Sequence, residues 1–377
     1  MILFLAVAIA IYTAMHGTVW WGIHPLLAGH RQAGLALLLW MLVMIIAPIA
    51  VRLLEAGGSH QAARLLALTG YLWMGLVFIA FCLFAVIGLA ELLTRLLPLL
   101  IPALPRLPLH GQRIAAAVLL ITLAIGIYGS VAAKNIRVEK VSIATDKLPA
   151  GREMLRVVQV SDIHLGLLNR GPFLAPIIAR LKELEPDLLV ATGDVVDAQL
   201  NCLDELCAMW QEIAPPLGKF AITGNHEVYA GLGQSLDFLR RSGFVMLRNT
   251  GLTAGGVVRL IGIDDEQLWN HTVQETALLQ AQPAGLFTIF LKHRPTVSAE
   301  SSALFDLQLS GHTHRGQIFP FNFLTGLHYP LQDGLYHLAS GSLLYTSRGT
   351  GTWGPPMRVL SPPEITVFEI RRSHPGS

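Results

Sequence analysis

The chain has 377 residues, enough for two domains, and combines 53% hydrophobic with only 14% charged residues. Its formal net charge of +2, with no long basic run in the sequence, gives no indication of nucleic-acid binding. The three cysteines, Cys82, Cys202 and Cys207, are too few for a disulfide framework and are interpreted as structural thiols.

Charged residues are scarce in the first part of the chain. Residues 1–133 contain only eight, and the first lysine and the first aspartate are Lys134 and Asp146. Four apolar runs lie in this part, at about residues 2–23, 34–51, 65–90 and 114–133. They are close to or above the ~20 residues that a helix needs to span a bilayer, and a soluble core would not bury four of them. Residues 1–134 are therefore predicted to form a transmembrane region with about four helices.

The first apolar run is expected to be a retained helix, because it lacks a basic start and a clear cleavage site for a signal peptide. The proline-rich segment at residues 96–113 is interpreted as an interfacial loop. His16 and Glu91 are expected to reach the lipid headgroups from positions near helix ends.

Four helices would place both ends of the transmembrane region on one side of the membrane. Five basic residues flank the membrane on that side: Arg52, Arg64, Lys134, Arg137 and Lys140. Four lie on the opposite side: Arg31, Arg95, Arg106 and Arg113. The positive-inside rule therefore favours an inner or plasma membrane protein whose C-terminal domain is cytoplasmic.

Residues 135–377 show a different pattern, in which strands alternate with helices. Strands are predicted at 155–162, 187–194 and 218–227, with helical segments between them. After residue 249 the strands follow one another more closely. This order predicts an α/β domain built as a two-sheet sandwich flanked by helices.

Polar residues follow five of the predicted strands in this domain. They are Asp162, Asp194, Asn225, His293 and His312. His164 and His314 lie two residues after the first and the last of them, and an extended backbone would aim the members of each pair to the same side. Since ligands of α/β folds gather beyond the carboxyl ends of strands, we expect these side chains to meet.

Imidazole and carboxylate ligands together suit first-row metals such as Mn, Zn, Fe or Ni. The candidate ligands are numerous enough for two divalent ions that share a carboxylate, and such a pair can hold a bridging hydroxide that attacks a phosphate. Glycines precede Asp194, Asn225 and His312, which fits a close approach of the backbone to the ions.

The series "SDIH", "GD", "GNHE", "KH" and "GHTH", in this order, resembles the calcineurin-like metallophosphoesterases over about residues 135–377. The segments "GHTHRGQ" and 347–365 are most similar to a subgroup near the membrane-associated UDP-diacylglucosamine hydrolases. Residues 1–134 contribute nothing to the resemblance.

The resemblance implies a role for each candidate residue. Asp162, His164 and His314 would hold the first metal; Asn225, His293 and His312 would hold the second; and Asp194 would bridge them. His226 would face the leaving oxygen as a general acid or charge stabiliser, and Asp197 would orient it.

Some residues have two interpretations. Asp197 is either this partner or the N-cap of the following helix, and Arg315 either binds phosphate or is a solvated loop charge. Glu227 is interpreted as a surface carboxylate rather than a ligand. Three further histidines are expected to be structural or exposed rather than metal-bound: His271, His328 and His337.

The apolar segment "IFPFNFLTGLHYPL" at 318–331 is either a core-lining hairpin or an apolar rim that faces lipid beside the metals. The expected substrate is a phosphodiester or pyrophosphate of a membrane lipid, such as a nucleotide-linked glycolipid. Two alternatives stay open. One is a broad phosphomonoesterase or phosphodiesterase acting on soluble nucleotides or wall polymers. The other is a membrane sensor or transport module with a regulatory phosphoesterase domain.

Overall fold

The computed structural model describes residues 2–101, 107–197, 204–268, 273–281 and 285–373. Cys202 and His271 lie outside these ranges, as do residues 102–106 of the predicted interfacial loop. The chain divides into two compact units. The first contains residues 1–131 and 354–357, and the second contains residues 132–353 and 358–377.

The first unit consists of long apolar helices. They are α1 (Ile2–Leu27), α2 (Arg31–Ala56), α3 (His60–Leu100) and α4 (Gln112–Ala132). Within the described residues, four helices are long and apolar enough to cross a membrane, so the prediction of four apolar helices is confirmed. α3 is longer than expected and continues through Pro98 into the segment that we interpreted as a loop.

The positions of His16 and Glu91 differ from the expectation that both reach headgroups. His16 is buried in the middle of α1, and its Nε2 accepts a hydrogen bond of 3.0 Å from the indole nitrogen of Trp73 on α3. Glu91 is buried as well and is paired with Arg95 one turn later. Both polar groups therefore have a side-chain partner inside the helical unit, although Oε2 of Glu91 has none within the described residues.

The second unit contains two mixed six-stranded sheets, a statement that covers the described residues only. The first sheet has the order β1-β12-β2-β3-β4-β5, and the second has the order β10-β11-β9-β8-β7-β6. The strands of the first sheet are β1 (Arg137–Thr145), β2 (Met154–Val160), β3 (Leu188–Ala191), β4 (Lys219–Ala221), β5 (Val245–Met246) and β12 (Glu364–Arg372). Those of the second are β6 (Thr250–Ala254), β7 (Val258–Gly262), β8 (Thr288–Leu291), β9 (Leu307–Ser310), β10 (Gly334–His337) and β11 (Leu343–Thr346).

The two sheets pack face to face. One apolar cluster combines Val157 and Val190 of the first sheet with Leu260 and Ile289 of the second. Helices cover the outer faces: α5 (Gly171–Leu184), α6 (Asp204–Gln211) and α8 (Leu232–Arg241) pack on the first sheet, and α9 (Val273–Gln280) packs on the second. The structure therefore confirms the predicted two-sheet sandwich flanked by helices.

The strands that carry the candidate ligands are parallel neighbours. β2, β3 and β4 are parallel in the first sheet, and β7, β8 and β9 are parallel in the second. Their carboxyl ends consequently lie at one edge of each sheet. A short helix, α7 (Asn225–Tyr229), begins directly after β4 at this edge.

The apolar segment after His314 forms a helix, α10 (Phe321–His328), and not a core-lining hairpin. None of its described side chains is buried. The exposed large side chains in and next to this helix are Phe319, Phe321, Phe323, Leu324 and Leu327. The helix therefore presents an apolar surface instead of filling the core. His328 and His337 are both exposed, as expected.

Candidate metal centre

Asp162, His164 and His314 converge after β2 and β9. The Nε2 atoms of His164 and His314 lie 3.0 Å apart, and His314 Nε2 lies 3.5 Å from Asp162 Oδ1. All three residues are buried. These residues form a group that can hold a metal ion.

A second group joins Asp194, His293 and His312. His293 Nε2 lies 3.1 Å from Asp194 Oδ2 and 3.2 Å from His312 Nδ1. Asn225, the remaining predicted ligand, is buried, and within the described residues its Oδ1 has no hydrogen-bond partner. A buried amide oxygen without a partner fits a metal ligand, because burying a polar atom that makes no polar contact costs free energy. His312 and His314 fall into different groups despite their close spacing.

The donor set fits divalent metals in a further respect. Pairs of imidazole nitrogens face one another at hydrogen-bond distance, and a bound cation would satisfy both lone pairs of such a pair. Burial lowers the pKa of His312 to about 3, with a contribution from His293, and burial also holds the pKa of His314 well below its usual value. Both imidazoles are therefore neutral near pH 7, the form that binds metal.

The expectation of an extended backbone at the Asp-x-His and His-x-His pairs is wrong. β2 ends at Val160 and β9 ends at Ser310. Asp162, His164, His312 and His314 all have positive φ, between 48° and 71°. Non-glycine residues rarely adopt this left-handed conformation, and they concentrate at functional sites. The side chains converge because both loops turn sharply, and not because they continue the strands.

Glycines allow the loops to pack closely against each other. A Cβ on Gly193, whose φ is +90°, would lie 2.8 Å from the backbone nitrogen of Gly224. A Cβ on Gly311 would overlap the side chains of Ser161 and Asp162. These glycines are therefore required by close contacts.

Glu227 is not the surface carboxylate that we expected. It is fully buried, and its two oxygens accept hydrogen bonds from the backbone nitrogens of Gly224, Asp194, Val195 and Val196, at 2.6–3.2 Å. Burial, reinforced by the charge of Asp194, raises the pKa of this carboxyl. Glu227 thus connects the loop after β3 to the start of α7.

Asp197 contacts His226, and the residues that would follow it as an N-cap, 198–203, lie outside the described ranges. The Asp197 Oδ1 atom lies 2.6 Å from His226 Nδ1 and 3.8 Å from His164 Nδ1. Burial opposes the charged form of His226, but the carboxylates of Asp194 and Asp197 outweigh it and raise the pKa of His226 to about 9. His226 also belongs, with His164 and Asp194, to a third group that can hold a metal.

Two arginines lie beside the His312–His314 loop. Arg315 is partly exposed, and its Nε is 3.3 Å from Asp333 Oδ2. Arg358 is fully buried and was missed by our reading of the sequence. It donates to the carbonyl oxygens of Arg348 and His314, at 2.7 and 3.2 Å, and its Nη2 lies 3.0 Å from His314 Nδ1. No sequence signal distinguishes Arg358, because its burial depends on the loops that surround it.

Carboxylates, imidazoles and a buried amide at the ends of parallel strands define the class of protein. This donor set suits a metal-dependent hydrolase. Comparison with known proteins gives the same class. Residues 155–316 match the calcineurin-like phosphoesterase family.

Relatives of this chain carry the same family name. The chain is 39% identical over 256 residues to a metallophosphoesterase of Aquifex aeolicus, a match that covers 67% of this chain and 98% of the relative. It is 33% identical over 271 residues to a transmembrane protein with metallophosphoesterase domain of Danio rerio, which covers 68% of this chain and 62% of that protein. The chain therefore belongs to the calcineurin-like metallophosphoesterase family. It is a metal-dependent phosphoester hydrolase of a family that uses two divalent metals.

Solved structures show weaker overall similarity. The 5'-nucleotidase precursor from Thermus thermophilus superposes with a TM-score of 0.37 and 16% identity, over 58% of this chain and 54% of that chain. A dimetal phosphatase from Danio rerio gives a TM-score of 0.34 and 12% identity, over 52% of this chain and 88% of that chain.

Replacement of Glu227 tests its connecting role. Glu227→Gln places an amide donor against four backbone N–H groups, and we expect it to lower the free energy of unfolding by about 1–3 kcal/mol. The measurement is denaturant unfolding of the full-length protein in detergent, followed by tryptophan fluorescence. The matched control is Glu183→Gln, which removes an exposed pair with Arg180 and should cost at most about 0.5 kcal/mol. Equal stability of the two variants would contradict the assigned role.

Proposed function

We propose that this chain is a membrane-bound phosphoesterase that hydrolyses a phosphodiester or pyrophosphate of a lipid-linked substrate. In this proposal residues 1–134 form the transmembrane region, and residues 135–377 form the catalytic domain. The observation that carries the proposal is α10, an uncharged helix with exposed apolar side chains beside the candidate metal centre.

α10 is linked to the candidate centre through the residue that follows it. The ring of Tyr329 lies 5.3 Å from that of His312, and the Tyr329 hydroxyl accepts a hydrogen bond of 3.2 Å from Arg294, the neighbour of His293. Exposed apolar surface in a soluble environment carries a free-energy penalty, whereas acyl chains would bury it. The four membrane-capable helices of the same chain support a bilayer as the source of those acyl chains.

The proposed ligand assignment is the one that the family resemblance implies, and the two candidate groups support it. Asp162, His164 and His314 would hold one ion; Asn225, His293 and His312 would hold the other; and Asp194 would be shared. When bound, the two ions would supply an activated water and neutralise charge on the phosphate. Arg315 is proposed to bind a phosphate oxygen, since it is the residue directly after His314 and its guanidinium is partly exposed.

His226 is proposed to protonate the leaving oxygen. The hydrogen bond from its Nδ1 to Asp197 fixes the tautomer and leaves Nε2 for the substrate. The raised pKa of His226 keeps a proton available near neutral pH. These two features support general-acid catalysis by His226.

The nature of the lipid and the side of the membrane are further parts of the proposal. The similarity of residues 347–365 to the UDP-diacylglucosamine hydrolases favours a nucleotide-linked glycolipid. The distribution of basic residues, five against four, favours a cytoplasmic catalytic domain in an inner or plasma membrane.

A pair of variants tests the catalytic assignment. His226→Ala should keep bound metal but lower turnover by about 10²–10⁴-fold, because the leaving oxygen loses its proton donor. Asp194→Ala should lower both metal content and turnover, because it removes the shared ligand. Turnover of bis(p-nitrophenyl) phosphate and elemental analysis of the purified protein provide the two measurements. Normal turnover by His226→Ala would refute its proposed role.

A second test concerns the lipid. The double variant Phe323→Ser, Leu327→Ser makes the α10 surface polar, and we expect the ratio of lipid pyrophosphate to soluble ester turnover to fall about tenfold or more. The measurement compares a lipid pyrophosphate in vesicles with bis(p-nitrophenyl) phosphate. Val245→Ser, at an exposed apolar position on β5, is the control and should keep the ratio. An unchanged ratio in the double variant would exclude α10 as the lipid surface.

A further inference from the structure

Two aromatic side chains border His226 and have no part in the proposed ligand set. The ring centroids of Tyr229 and Trp353 lie 5.3 and 5.6 Å from that of His226, both in edge-to-face geometry. Tyr229 is 50% exposed and Trp353 is 55% exposed, whereas His226 is only 7% exposed. The small accessible part of this imidazole is therefore flanked by two half-exposed rings.

Both aromatic residues are held in place by polar contacts. The side chain of Gln317 bonds the backbone of Trp353 twice: it donates to the carbonyl oxygen and accepts from the amide nitrogen, each at 2.9 Å. The Tyr229 hydroxyl accepts a hydrogen bond of 3.0 Å from Gln267. Single exposed aromatics are common on protein surfaces. Two of them beside the same imidazole, one held at its hydroxyl and one at its backbone, form a partly preorganised binding surface.

We propose that Tyr229 and Trp353 form a subsite for the leaving group of the substrate, and that this group contains a ring with an apolar face. This inference rests on the proposed function, since it takes His226 as the proton donor. With Nδ1 bonded to Asp197, the leaving oxygen must approach Nε2. The group attached to that oxygen then lies next to the two aromatic rings.

A nucleobase and a sugar both offer such a ring. Each presents a flat, partly apolar face that an aromatic side chain can contact over a large area. An open-chain alcohol of similar size has more rotatable bonds to immobilise and offers less area to a rigid ring. The subsite should therefore select for ring-containing leaving groups and not merely for apolar ones.

The experiment uses the full-length, metal-loaded protein and three phosphodiesters that share a retained methyl group. Their leaving alcohols are 2-phenylethanol, glucose linked through its primary hydroxyl, and n-hexanol. We expect kcat/KM for at least one ring ester to exceed that for the hexyl ester by about tenfold. The ring ester with the higher kcat/KM shows whether the subsite prefers an aromatic ring or a sugar.

Variants of the subsite should remove this preference. Trp353→Ala and Tyr229→Ala should each bring the kcat/KM values of the ring and hexyl esters to within about threefold of each other. Trp353→Phe should retain most of the preference for ring esters. Val245→Ala, at an exposed position on β5, should leave kcat/KM for all three esters unchanged. Binding of analogues in which a methylene replaces the leaving oxygen should give the same ranking without turnover.

Two results would overturn the inference. One is equal binding and kcat/KM for ring and hexyl compounds in the unmodified protein. The other is an equal loss for all three compounds in Trp353→Ala, which would indicate a structural role. Failure of the proposed function is separate from both, because it would be seen as normal turnover by His226→Ala.

Discussion

The loops that carry Asp194 and Asn225 come from different strands, and the carboxylate of Glu227 joins them. Four backbone N–H groups from the two loops converge on this one side chain in a fully buried position. A side-chain amide has only one acceptor oxygen and would leave some of these N–H groups unsatisfied. A carboxylate offers about four acceptor sites. The position of Asn225 relative to Asp194 depends on this contact, because Asp194 belongs to one loop and Asn225 to the other.

The charged state of Asp194 also depends on its neighbours. Burial disfavours its charged form, but His293 and His226 hold its pKa well below the usual value. A carboxylate that stays ionised without solvent is the group required to bridge two cations. The backbone nitrogen of His226 also donates to Asp194 Oδ1, at 2.8 Å. The start of α7 is thereby fixed to the proposed bridging ligand, which places the imidazole of His226 beside the centre.

Sequence reasoning was effective for groups whose position follows from a strand. Asp162, His293 and His312 could be placed at strand ends because each follows an apolar run. The structure brings Asp162 into one candidate metal group and His293 with His312 into another. It failed where burial depends on distant partners. Glu227 gave no sign that a loop some thirty residues earlier would supply its hydrogen bonds, and Arg358 looked like any loop arginine. Local spacing also misled, because a one-residue gap predicts a shared face only in an extended backbone.

Selection among phosphoesters must come from residues outside the ligand set, since two cations with carboxylates and imidazoles accept almost any phosphate. In the described part of this chain, exposed apolar and aromatic side chains lie beside the centre, on α10 and at Tyr229 and Trp353. Gln317 links the ring subsite to the apolar surface of α10. Its side chain holds the backbone of Trp353, and it lies two residues before Phe319. A shift in this glutamine would therefore move the ring subsite and the entry to α10 together. The two proposed substrate contacts, the ring subsite and α10, are therefore coupled through one residue.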